Sequence, residues 1–144
     1  MRPPADKGFA RAPSSGDLQL ALRRDIDAPQ LARAAVTSLC DEHELGGAQR
    51  HTMILLVSEL VSNAVLHSRA PASAPILLAA TLGADRVRVT VTDAGHGFTP
   101  TPRDSPGVGG KYGLYLLDQT ASQWGVDRRG GTRVWFELLL SPGP

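Results

Sequence analysis

From Asp17 to Arg24 the chain alternates Leu18, Leu20 and Leu22 with polar or small residues, the period of two that marks a strand with one buried face. Asp27 then offers an N-cap and Pro29 falls in the first turn of a helix predicted to run to about His43, with Leu31, Ala35, Val36 and Leu39 as its apolar stripe. Gly46-Gly47 breaks that helix. A longer helix is predicted from about Ala48 to His67, where Met53, Ile54, Leu56, Val57, Leu60, Val61, Ala64 and Val65 are numerous enough to bury most of its surface.

After a Pro/Ala/Ser loop at Arg69 to Pro75, two alternating runs, Ile76 to Leu82 and Arg86 to Thr92, flank Gly83-Ala84-Asp85 and predict an antiparallel hairpin. The stretch from Asp93 to Lys111 is rich in glycine and proline, with Gly95, Gly97, Pro100, Pro102 and Pro106 among them. It is too long for an ordinary connection and suits a functional lid. A helix from about Tyr112 to Gln123 should bury Leu114, Leu117 and Ala121. Trp124 to Asp127 and Thr132 to Leu140 should form a last hairpin around Arg129-Gly130-Gly131. The order is strand, helix, helix, two strands, lid, helix, two strands. It predicts an α+β fold, a two-layer sandwich in which a mostly antiparallel sheet packs against helices.

Length and charge narrow the function. The 144 residues suffice for one domain with its own core, expected over residues 17–141. Residues 1–16, with Phe9 as their one bulky apolar side chain, are expected to form a tail without fixed structure. The net charge of +1 is spread over scattered basic residues (Arg23, Arg24, Arg33, Arg50, Arg69, Arg86, Arg88), so no basic stripe for nucleic acid is present. Neither a signal peptide nor a run of about 20 apolar residues for a bilayer occurs, and a cytoplasmic protein is expected. Cys40, the single cysteine, excludes an internal disulfide and reads as a buried thiol. Trp124 and Trp135 read as core packing.

Candidate chemistry starts in the second helix. Glu59, Asn63 and His67 stand at i, i+4 and i+8, so they share one face of an otherwise apolar helix. Buried polar groups without partners cost about 1–3 kcal/mol each, and a bound metal with its phosphate ligand would supply partners. In Arg86 to Asp93 the period of two places Asp93 on the same buried face as Val87, Val89 and Val91. By itself this carboxylate reads first as the cap of a local Asp-x-Gly turn, and only its context points to a site. Gly107, Gly109, Gly110 and Gly113 crowd the start of the following helix. That is either a phosphate cradle, to which Lys111 could add a charge, or a plain linker.

Taken in this order, the three signals resemble the GHKL ATP-binding superfamily, closest to the bacterial serine/threonine kinases that act as anti-sigma factors. Glu59 to His67 looks like the family's N box, Asp93 to Gly97 like its first glycine box, and Gly109 to Leu114 like its second. The resemblance implies a histidine-kinase-like ATPase fold that binds ATP and Mg²⁺. In it Asn63 would ligate the metal, Asp93 would accept from the adenine amine, and Gly95 and Gly97 would let the chain pass the nucleotide. Gly109, Gly110, Lys111, Gly113 and Leu114 would meet the phosphates, and Glu59 would act as general base. Thr132 resembles the family's threonine near the adenine and equally suits simple strand pairing. His67 either approaches the phosphates or only ends its helix. One departure is Lys111, which stands where the second glycine box usually begins with glycine.

The partners implied are a sigma factor and a STAS-class antagonist carrying the target serine, with a homodimer as the expected assembly and no direct contact with nucleic acid or membrane. The alternative is a non-catalytic regulatory module with a degenerate nucleotide site.

Overall fold

The computed structural model describes residues 17–67, 70–71, 73–94 and 117–140, with the backbone alone at His67. Its elements are β1 (Leu18–Leu22), α1 (Ala28–Glu42), α2 (Gly47–His67), β2 (Ile76–Leu82), β3 (Arg86–Asp93), β4 (Gln123–Asp127) and β5 (Thr132–Leu139). The predicted helix over Tyr112 to Gln123 is described only from Leu117, is helical at residues 117–120, and ends before Gln123, which opens β4 instead. The expectations for the 1–16 tail and for most of the lid lie outside the described residues.

The strands form one sheet in the order β1-β2-β3-β5-β4, and every neighbouring pair is antiparallel. Alternation divides the sheet into two faces. Leu22, Ile76, Leu78, Ala80, Val87, Val89, Val91, Val134, Phe136 and Leu138 point to the helices and are buried there. Above them lies α2, which explains its broad apolar surface: it packs against α1 on one side and against β2, β3 and β5 on the other. Met53, Leu56, Val57, Leu60, Val61 and Ala64 are buried, and Ile54 and Val65 pack at the edge of the core. Fully burying side chains of this size contributes about 1.5–3 kcal/mol each.

The first helix departs from its predicted stripe. Leu31 is 53 % exposed and Ala35 only partly covered, whereas Ala28, Ala32, Val36, Leu39 and Cys40 are buried. Ala28, Ala32, Val36 and Cys40 form a row of i, i+4 neighbours that is buried throughout, and of the predicted stripe Val36 and Leu39 are buried with it. Asp27 occupies the N-cap position and Pro29 the first turn, but the Asp27 side chain makes no cap bond; its amide donates to Asp25 instead. The helix ends at Glu42, before the glycines, and the left-handed residue that follows is Glu44 at φ 55°. A 2.7 Å ion pair between Arg50 and Asp41 ties the two helices at this end. Cys40 is buried, and burial pushes its thiol above the ordinary range, which agrees with an inert packing role.

The opposite face of the sheet is the less expected one. There Arg88, Trp135 and Glu137 are also buried. Arg88 stacks 3.9 Å above the Trp135 ring and reaches Glu137 at 3.4 Å, while Arg86 reaches the other carboxylate oxygen at 3.2 Å. Trp124 packs against the helix-side core as predicted; Trp135 is buried instead on the far face, and Arg86 and Arg88, two of the scattered basic residues, share one carboxylate there.

Candidate functional site: a polar cluster at the end of the central strands

Antiparallel pairing brings the end of β3 to the start of β5, so that Asp93 stands directly opposite Thr132 and Val91 opposite Val134. On its other side Asp93 faces Ile76 of β2. The helix α2 crosses above, and its residues Leu60, Asn63 and Ala64 close a pocket with Val91, Asp93, Thr132 and Val134. The free space within it is about 10 Å³, roughly enough to hold one water. Three polar side chains from three elements therefore meet inside walls that are otherwise apolar.

All three are deeply buried: Asn63 is 5 % exposed, Asp93 4 % and Thr132 3 %. Such groups are ordinarily satisfied, and Asp93 and Thr132 each take part in interactions with their surroundings. Asp93 nevertheless keeps one oxygen, Oδ2, shut off from solvent and accepting no hydrogen bond, so acceptor capacity remains inside the pocket. An amine or other N–H donor matches this acceptor. Asn63 offers a single amide to the pocket. Among the described residues no group of three or more His, Cys, Asp or Glu side chains is placed to cage a metal. One amide oxygen suits a hard cation whose remaining ligands come from phosphates and water.

Glu59 stands one helical turn before Asn63, half-buried, and does not itself line the pocket. Of the sequence-predicted residues, the structure thus brings together Asn63, Asp93 and Thr132, with Glu59 adjacent along α2. Gly95, Gly97, Gly109, Gly110, Lys111, Gly113 and Leu114 lie outside the described residues, as does the side chain of His67. Leu60, Ala64 and Val91 were legible as core residues, but neither they nor Val134 as walls of a site. They carry no signal of their own beyond the periodicity that already places them in a core.

The layering defines a class, α+β domains built on one antiparallel sheet with helices on one face. The family model of the histidine kinase-like ATPase domain matches residues 22–138, and the chain belongs to that family. No curated protein matches it significantly by sequence.

Among solved structures it is similar to the RsbU and RsbW domains of Rv1364c from Mycobacterium tuberculosis, with a TM-score of 0.71 and 26% identity over 92% of this chain and 35% of that one. It also shares its fold with the histidine kinase domain of the blue-light activated histidine kinase EL346 from Erythrobacter litoralis. There the TM-score is 0.53 and the identity 20%, over 76% of this chain and 61% of that one. The chain thus spans less than two thirds of either structure. Among the described residues no helix is long and apolar enough to cross a membrane.

Proposed function

We propose that this chain is an ATP-dependent serine/threonine kinase of anti-sigma type, which phosphorylates a serine on a STAS-class antagonist and sequesters a sigma factor. The observation that carries the reading is the convergence of Asn63, Asp93 and Thr132 in one buried pocket, in a chain of the histidine kinase-like ATPase family. The motif resemblance to anti-sigma serine kinases and the likeness to a structure containing an RsbW domain support the narrower assignment.

Bound Mg·ATP would supply a transferable γ-phosphoryl group and a cation that offsets its charge. The protein's part is positioning. Asp93 accepts a hydrogen bond from the adenine amine, and Leu60, Ala64, Val91 and Val134 keep water from the buried side of that carboxylate. Thr132, opposite Asp93, lends a hydroxyl at the same edge, and Asn63 holds the cation through its amide oxygen. Glu59 takes the proton from the attacking serine hydroxyl as the serine oxygen bonds to the γ-phosphorus and the bond from that phosphorus to the ADP oxygen breaks, releasing ADP, a role that requires hydrogen-bond reach once substrate is bound. Gly95, Gly97, Gly109, Gly110, Lys111, Gly113 and Leu114 complete the proposed nucleotide contacts.

The test is Glu59→Gln, which keeps size and helix propensity but removes the base. Binding of Mg·ATP should persist, while transfer of labelled γ-phosphate to STAS-type antagonists from the same cell should fall by about 10²–10⁴. Equal transfer by both proteins would remove Glu59 from the mechanism. If ATP binds and neither protein transfers to any candidate, the chain is a sequestering module instead.

A further inference from the structure

We infer that Gly131 is a positioning residue for base recognition: its missing side chain lets the start of β5 press against the Asp93–Ala94 backbone and so fixes where the Asp93 carboxylate lies. A Cβ built on Gly131 would stand 2.5 Å from the carbonyl oxygen of Asp93 and 3.1 Å from Cα of Ala94. Both neighbours are backbone, so no flexible side chain can yield and the chain itself must shift. The backbone at Gly131 has φ +139°, which side chains of L-residues rarely adopt.

Gly130 provides an internal contrast. It occupies the same hairpin turn at φ +71°, yet a Cβ there meets nothing within 4 Å. The turn alone therefore explains a glycine at 130, whereas the contact with Asp93 sets a separate requirement at 131. Because Asp93 and Thr132 are direct cross-strand partners, a shift at Gly131 moves both polar groups of the pocket's strand side at once. Recognition constellations tolerate only about 0.5 Å of misplacement. The closest separation found for real Cβ contacts exceeds 2.5 Å by about that much.

This inference rests on the proposed role of Asp93 as acceptor for an adenine amine, and its test separates the two. Dissociation constants for Mg·ADP and Mg·GDP are measured on the unmodified protein, Gly131→Ala and Gly130→Ala, with circular dichroism and melting temperature alongside. The unmodified protein and Gly130→Ala should prefer ADP, although Gly130→Ala loses some melting temperature to turn strain. Gly131→Ala should lose about tenfold or more of that preference while keeping its fold. A purely structural glycine would lower stability in both variants and leave the ADP to GDP ratio alone, so an unchanged ratio in folded Gly131→Ala overturns the inference. Absence of any preference in the unmodified protein would overturn the Asp93 role itself, and this inference with it.

Should Gly131→Ala fail to fold, hydrogen exchange on the unmodified chain decides. Mg·ADP must slow exchange at Asp93–Ala94 and at Gly131–Thr132 together, and Mg·GDP must do so less. Protection of one segment without the other overturns the coupling.

Discussion

Asn63 occupies a place that an apolar residue would fill at lower cost. It is 5 % exposed on a helix whose other buried positions, Met53, Leu56, Val57, Leu60, Val61 and Ala64, are all apolar. A buried amide left there for packing alone would be replaceable by a residue of similar shape with little loss or a gain in stability. Asn63→Leu should therefore keep or raise the melting temperature, and Asn63→Ala should remove the Mg²⁺ dependence of nucleotide binding. Titrations of ATP with Mg²⁺ and with a chelator check this, and an unaltered metal dependence in Asn63→Ala would make the residue structural. Asn63 and Asp93 were legible as candidates because each places a polar group on an apolar periodic face. Arg88 and Glu137 were not. Each alone is an ordinary strand charge, and only the β3–β5 register, which sets Arg88 opposite Glu137, turns them into a buried ion pair.

At the scale of elements, strand boundaries followed the alternation closely, since a period of two tolerates no slip without reversing every side chain. Thus β2 spans Ile76–Leu82 as predicted, and β3 adds only Asp93. Helix α1 was legible in part: Val36 and Leu39 of the predicted stripe are buried, but Leu31 and Ala35 give way to Ala28, Ala32 and Cys40, small residues whose weak hydrophobicity hides a buried row.

The β4–β5 hairpin carries a further consequence of its own. Asp127 accepts bonds from the Arg129 side chain and amide and from Arg133, with the Arg129 contact dominant, and these hold its carboxyl far below the usual carboxylate range. With the folded value depressed, the stabilisation is fully present above the unfolded value of about 3.9 and is lost as pH falls through the folded one. The difference in melting temperature between the unmodified protein and Asp127→Asn should accordingly be largest near neutrality and shrink steadily below about pH 4. A constant difference across that range would mean that the charge of Asp127 is immaterial to the turn.

For the whole molecule, the two-layer α+β arrangement was legible from element order, because a long two-sided helix and two hairpins leave few alternatives. The pairing of β3 with β5 was not. It joins strands that are not consecutive hairpin partners, and no local pattern announces it. That pairing also gives the site its history within each folding event. Asp93 and Thr132 become neighbours only when the chain between them has closed as a loop, an ordering cost paid before the contact returns anything. Such non-local strand pairs form slowly. A ligand that needs both strands has nothing to hold until the ladder is complete, so it acts after the main barrier rather than before it. Saturating Mg·ADP should therefore slow unfolding in proportion to its binding energy and leave the refolding rate unchanged. Stopped-flow chevrons with and without nucleotide would display this as a displaced unfolding limb beside a superimposed folding limb. A faster folding limb would instead show that the strands meet, and bind, before the rest of the core has formed.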